Sequence, residues 1–301
     1  MYLQHAIPPV HEPTSTDHMT EELKFRRLSE AEIEIPLEMA MQEGWNPGLE
    51  DGPAFHAADP QGFLGGEIDG KLVTVISAVR YGDSFGFIGF YICRREFRAR
   101  GYGHQIWAQA MSHLGSRLIG LDAVNEQTAS YAEHGFKSVY RNIRQTGISL
   151  CDAPMDPRVA PLGHGVFPAV NAYDRRFFPA QREAFLKHWA APMIETRRGF
   201  AFVEDGDVKG YGVMRACHEG FKVGPLFADT PAIADTLFRT LAGQVKGQFI
   251  ILDTPEPNAA ALLMAERYEL SPEFETYRMY RGAVPDLPLD QIHGITTFEL
   301  G

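Results

Sequence analysis

The sequence predicts an α/β fold of the α+β, mixed-sheet kind, made of two tandem domains, each a mixed, largely antiparallel sheet flanked by helices. Three observations carry this. Short apolar runs joined by tight turns open each half. At residues 90–103, FYICRREFRARGYG passes from strand-like residues through an arginine-rich turn and two glycines into an amphipathic helix. The pattern then restarts at an offset of roughly 135 residues: GFLGGEIDGK at 62–71 returns as GFAFVEDGDVK at 199–209, LDAVN at 121–125 as LDTPEPN at 252–258, and YAEHG at 131–135 lines up with MAERY at 264–268. Three matches in one order read as a duplicated domain rather than a repeat array.

The elements follow in order. Residues 23–28 are a short strand, and Ser29 with Glu32 makes a capping box that starts a helix. That helix stacks Ile33, Leu37, Ala40 and Met41, and Pro36 breaks or restarts it near its first turn. GWNPG at 44–48 is a turn, followed by a second short helix around 54–58. Residues 63–68 and 72–80 form a hairpin about Asp69-Gly70, and a third strand, 85–93, feeds the glycine turn. The next helix places Ile106, Trp107, Ala110, Met111 and Leu114 on one stripe. A strand at 118–124, a helix at 125–134 stopped by Gly135, and a strand at 137–143 close the first unit. Pro154, Pro157, Pro161 and Pro168, with Gly163 and Gly165, mark an aperiodic connector. The expected division is a disordered leader at 1–21, a first domain at 22–150, a linker at 151–168 and a second domain at 169–301.

Composition narrows the function. A chain of 301 residues that is 45% hydrophobic buries one large core or two modest ones. It has no apolar run of about 18 residues, so no membrane span is expected. The leader lacks the apolar centre of a signal peptide. Cys93, Cys151 and Cys217 are widely spaced, which fits a reducing, cytoplasmic setting and argues against a disulfide framework or a zinc site. No histidine pair has metal-ligand spacing, so no metal is expected. A net charge of −11 disfavours nucleic acid, and either a monomer or a homodimer fits.

Against that acidic background, Arg94, Arg95, Arg98 and Arg100 stand beside Gly101 and Gly103. Bare glycines at a helix start let backbone N–H groups face an anion, and the helix dipole adds about 0.3–1 kcal/mol per charge. The second half has GPLFADTPAIAD at 224–235 instead. Thr230 or Asp229 caps a helix there and Pro231 suits its first turn, but Asp229 would repel a phosphate. That half is expected to keep the shape without the ligand. No GKS or GKT follows the glycines and regular βαβ alternation is missing, which argues against a P-loop or Rossmann site.

Arg98-Ala99-Arg100-Gly101-Tyr102-Gly103 fits the R/Q-x-x-G-x-G/A motif, and YAEHGF at 131–136 fits Y-x-x-x-G-F. On these motifs residues 22–148 resemble the GNAT superfamily of N-acetyltransferases. The whole chain resembles tandem-GNAT proteins with a diverged C-terminal domain, and GWNPG and the closing TTFELG are similar to sequences of that group. The resemblance implies direct transfer of an acetyl group from acetyl-CoA, as co-substrate, to the amine of a small molecule or a lysine-like acceptor. It implies that backbone groups of Ile92 and Cys93 hold the pantetheine arm and that Arg98, Ala99, Arg100, Gly101, Tyr102, Gly103 and His104 cradle the pyrophosphate. It further implies that Asn125 hydrogen-bonds the pantetheine and that Tyr131 protonates the departing thiolate.

A phenol is protonated at neutral pH and suits that last role, whereas Met264, at the matching place in the second half, does not. Cys93 has no base nearby in sequence and reads as a buried strand residue rather than a nucleophile. An attacking amine must lose a proton; Glu43, Asp51, Glu67, Asp122 and Glu126 are candidates to take it, and spacing does not choose among them. Trp45, Asn46, Arg80 and Tyr81 are the expected acceptor contacts, with the C-terminal half closing one wall. The acidic balance favours a cationic acceptor such as a polyamine, an aminoglycoside or a lysine side chain. The other reading is a noncatalytic acyl-CoA-binding sensor or scaffold; Asn125 and Tyr131 favour the enzyme.

Overall fold

The computed structural model describes residues 22–190 and 194–301, so the expected leader at 1–21 lies outside the described residues. The first half runs β1 (Lys24–Arg27), α1 (Glu34–Gln42), α2 (Gly52–Ala58), β2 (Phe63–Ile68), β3 (Lys71–Tyr81), β4 (Phe85–Cys93), α3 (Tyr102–Leu114), β5 (Leu118–Ala123), α4 (Thr128–Glu133) and β6 (Lys137–Ile148). The second runs β7 (Val159–Pro161), α5 (Phe167–Asp174), α6 (Glu183–Trp189), β8 (Arg197–Glu204), β9 (Asp207–Ala216), β10 (Phe221–Ala228), α7 (Pro231–Ala242), β11 (Phe249–Pro255), α8 (Ala259–Arg267), β12 (Ser271–Arg281) and β13 (Ile292–Gly294).

Local chemistry accounts for the boundaries. The Ser29–Glu32 capping box forms, with the Ser29 N–H donating to Glu32 Oε2 at 2.9 Å. It caps a single 3₁₀ turn, and α1 then restarts with Pro36 in its first turn, where a missing N–H costs nothing. The hairpins β2–β3 and β8–β9 turn on Asp69-Gly70 and Asp205-Gly206, all four residues at positive φ, as two-residue turns matching strand twist require. The duplication is thus visible in the turns themselves. The expected linker is partly ordered: β7 lies inside it and pairs with β8.

One sheet of 13 strands runs through both halves in the order β1-β2-β3-β4-β5-β12-β6-β11-β10-β9-β8-β7, with β13 attached to β10. Among the described residues only β4–β5 and β10–β11 are parallel. On one face of the first half, α3 buries Ile106, Trp107, Ala110 and Leu114 against β2 to β5. On one face of the second, α7 and α8 cover a matching core around Leu237, Leu241 and Met264. The largest core is shared. It joins α1 and α2 to α5 and α6, with Phe55 stacked on Trp189 at 5.9 Å.

The sequence expectation that residues 137–143 close the first unit does not hold. β6 extends to Ile148 and is separated from β5 by β12, a strand of the second half. β6 in turn pairs with β11. The two halves have exchanged their last long strands, and two buried ion pairs hold the exchange. Arg278 on β12 donates through Nε and Nη2 to both Asp122 oxygens on β5, each at 2.8 Å. Arg144 on β6 does the same to Asp253 on β11, at 2.8 and 2.9 Å. The aspartates occupy the same place in the repeated LDAVN and LDTPEPN segments.

Candidate active site

The site begins where two parallel strands separate. β4 and β5 pair only along 85–88 and 118–121. Beyond that point β4 bulges: its register with β3 shifts between Val75 and Ser77, and Phe90 sits at φ 46°, an uncommon conformation for a bulky side chain. The diverging strands open a cavity of about 530 Å³. β4 supplies Gly89, Tyr91, Ile92 and Cys93 to its wall, the stretch after β5 supplies Val124, and α4 supplies Tyr131. The far wall belongs to the second half, through Phe249, Ile251, Phe274, Phe298 and Glu299.

At one end lies the start of α3. Gly101 has φ 79°, and a Cβ built on it would meet nothing within 4 Å. Among the described residues no side chain caps this helix, so the N–H groups of its first turn are left for a ligand. The counterpart α7 is closed: Thr230 Oγ1 accepts from Ile233 N at 3.3 Å, and Asp229 is held by Tyr173 and Arg176. The second half's splay is also filled. β10 and β11 pair at 221–223 and 250–252, and then β13 takes the place beside β10, pairing at Leu226 and Phe227.

The structure sorts the expected residues. Ile92, Cys93, Arg98 and Gly103 line the cavity, as do Tyr131, Trp45 and Asn46. Ala99, Arg100, Gly101, Tyr102 and His104 belong to the turn and helix start just outside that wall. Tyr102 has its side chain buried near Leu23, Ile68 and Val73, so only its backbone is available. Asn125 is exposed and off the wall, which takes Val124 and Gln127 instead. Arg98 is a staple as well as a wall residue: it donates to the Cys93 carbonyl (2.8 Å) and to Glu43 Oε1 (2.5 Å).

Arg80 and Tyr81 do not belong to the site. They pair with Gly86 and Phe85, at the end of β4 opposite the splay. Arg80 is bound to Asp59 at 3.0 Å; Tyr81 is buried against Phe178 and donates to the Leu300 carbonyl at 3.0 Å. Asn46 reaches the cavity, but its side-chain amide is used up by the second half: Nδ2 donates to the Glu219 carbonyl and Oδ1 accepts from the Glu219 N–H, at 2.9 and 3.1 Å.

Electrostatics favour protonated groups along the β4 wall. Burial pushes the Cys93 thiol up to about 11, against the pull of Arg98 and Arg100, so it is a poor nucleophile at neutral pH. Burial likewise holds the Tyr131 phenol well above the usual range, with a smaller push from Tyr91. Tyr91 is raised in the same way. A Cβ on Gly103 would lie 2.9 Å from the Tyr91 hydroxyl, and the rings of Tyr91 and Tyr131 lie 5.6 and 5.5 Å from Trp107. Two phenols that stay protonated therefore stand together at the splay. Sequence reading missed Tyr91 because an aromatic residue in a strand is ordinarily a packing residue. It also missed Arg144, Phe274 and Phe298, which β6, β12 and the segment after β13 bring together, the guanidinium lying 5.8 and 4.9 Å from the two ring centroids.

A half-splayed mixed sheet with a glycine-led helix start beside it frames the cavity, and the comparisons with known proteins assign the class of protein. The Acetyltransferase (GNAT) family matches residues 25–136, and the Acetyltransferase (GNAT) domain matches residues 170–294. The chain is 30% identical over 271 residues to the holothin acyltransferase of Pseudoalteromonas sp. (strain SANK 73390), covering 90% of this chain and 92% of that one. It belongs to the GNAT family of acyltransferases, as a tandem of two GNAT domains. Among solved structures, a putative acetyltransferase from Pyrococcus horikoshii superposes with a TM-score of 0.75 at 21% identity, over 97% of this chain and 100% of the other. A tandem GNAT protein from the clavulanic acid biosynthesis pathway does so with 0.58 at 14% identity, over 88% and 100%. Among the described residues no helix is long and apolar enough to cross a membrane.

Proposed function

We propose that this chain moves an acetyl group from acetyl-CoA directly to the amine of a small molecule or a lysine-like acceptor, with the chemistry in residues 22–150 and with residues 169–301 forming the acceptor wall. The observation that carries this is the contrast between two equivalent clefts: the splay of β4 and β5 is open beside an uncapped helix, and the splay of β10 and β11 is filled by β13 beside a capped one. The pantetheine arm runs along the backbone of Ile92 and Cys93, and the pyrophosphate sits on the N–H groups from Arg98 to His104. Asn125 reaches the arm from the mouth. Tyr131, a phenol that is protonated at neutral pH, donates its proton to the leaving thiolate. Trp45 offers a ring to the acceptor, and Asn46 shapes the wall by holding Glu219. The name of the holothin acyltransferase relative weighs toward acyl transfer as the activity.

Titration calorimetry with acetyl-CoA tests the reading. One site per chain is expected, lost in Gly103→Trp, which fills the cavity end. Tyr131→Phe is expected to bind acetyl-CoA unchanged and to release free thiol about 10²-fold more slowly with an accepted amine. Two sites per chain, or none, would overturn the assignment of one working half.

A further inference from the structure

The proposed reaction needs a proton acceptor, and the structure removes most of the candidates the sequence offers. Glu43 is tied to Arg98, Glu67 to Arg26 at 2.6 Å, and Asp122 to Arg278 and Asn142. Asp51 is fully buried at the boundary of the halves, between Arg215 and Arg197 at 3.0 and 3.3 Å. Glu126 lines the cavity as well, but on its exposed rim.

One carboxylate on the cavity wall differs from all of these. Glu299 is only 4% exposed, lines the cavity, and its side chain makes no hydrogen bond or ion pair among the described residues. Three buried cations attract it without bonding to it: Arg144 is bound to Asp253, Arg215 holds Asp51 through Nε while its Nη2 has no partner among the described residues, and Lys222 Nζ donates to the Asn46 carbonyl at 3.0 Å. A buried carboxylate without a partner is costly and calls for an explanation.

Its placement supplies one. Segment 292–301 fills the second cleft with β13 and then crosses to the first. Arg182 holds it by donating to Thr296 Oγ1 (3.0 Å) and to the Gly301 carbonyl (3.3 Å), and Thr297 Oγ1 accepts from the N–H groups of Glu299 and Leu300. The backbone of Glu299 lies directly against the β4 bulge: a Cβ on Gly89 would stand 2.0 Å from the Glu299 carbonyl oxygen. The segment therefore carries a free carboxylate from the second half to the point where β4 leaves β5.

We propose that Glu299 is the general base of the transfer. This rests on the acetyltransferase reading above. The acceptor arrives as an ammonium, and Glu299 takes one of its protons. The freed nitrogen lone pair attacks the thioester carbonyl carbon, so that a C–N bond forms and the C–S bond breaks. The thiolate takes a proton from Tyr131, and the second proton lost by nitrogen restores that phenol. An amide N–H, free CoA thiol and a protonated Glu299 remain, and Glu299 passes its proton to solvent.

The test compares E299Q with the unaltered protein on two amines, one strongly basic and one aniline-like that is neutral at the assay pH, with acetyl-CoA affinity measured alongside. E299Q is expected to lose about 10²-fold in kcat on the basic amine, to turn over the neutral amine within about threefold of the unaltered rate, and to bind acetyl-CoA unchanged. Equal losses on both amines would assign Glu299 a structural role and overturn the proposal, as would no loss on either. Absence of thiol release by the unaltered protein with every amine would instead overturn the acetyltransferase reading, and the base with it.

Discussion

His293 shows at residue scale how a buried group ties this fold to pH. It lies on β13 fully buried, with neither ring nitrogen hydrogen-bonded among the described residues, and burial pushes its pKa down to about 4. In the unfolded chain a histidine takes up its proton near 6.5. The unfolded state therefore binds the proton first as pH falls, so the stability due to neutral His293 is complete above about 6.5 and is lost between there and about 4. The loss is about 3 kcal/mol. Urea unfolding at pH 7 and pH 4.5 checks this. His293→Leu is expected to flatten that part of the curve, and an unchanged slope in the variant would rule His293 out as its source. Asn46 teaches a related lesson. Its amide looked like a substrate contact, and its position at φ 51° next to Glu219 turns it into a clasp between halves.

At the scale of elements, the exchanged strands β6 and β12 decide the architecture. Each brings one arginine to an aspartate of the other half, and both pairs are nearly closed to water. Removing one partner of such a pair leaves an uncompensated buried charge and costs about 3–5 kcal/mol, whereas replacing both by apolar groups is often close to neutral. Asp253→Ala is thus expected to lower the unfolding free energy by about that amount, and adding Arg144→Met to recover most of it. Chemical denaturation of the two variants decides the matter: additive losses would mean that the arginine is stabilised by something other than Asp253. Arg144 was legible in the sequence only as a charge in a strand, because its partner lies 109 positions away in the other half.

For the whole molecule, the consequence is that the halves are not separable units. Residues 22–150 alone would leave β5 without β12 and β6 without either partner, exposing paired edges and half of the shared core around Phe55 and Trp189. That fragment is expected to aggregate or to lack cooperative unfolding. A nick in the connector near the fully exposed Met155 is expected to leave both pieces bound in one folded complex on size-exclusion chromatography. A monomeric 22–150 fragment that unfolds cooperatively would contradict the strand exchange.

The sequence by itself determined the local elements, the duplication, and the glycine-led helix start, because turn residues, capping groups and 3–4 spacing act over a few residues. The family resemblance, carried by the motifs at 98–103 and 131–136, also pointed to Tyr131 and to the β4 backbone. The glycine pair and Asp229 also indicated which half is open. Tertiary structure alone decided that β13 fills the second cleft, that β12 stands between β5 and β6, and that Arg80 and Tyr81 lie at the end of β4 away from the cavity. It also decided that Glu299 reaches a cavity built around residues some 200 positions earlier. Those outcomes depend on register and on burial between distant segments, which side-chain periodicity does not encode.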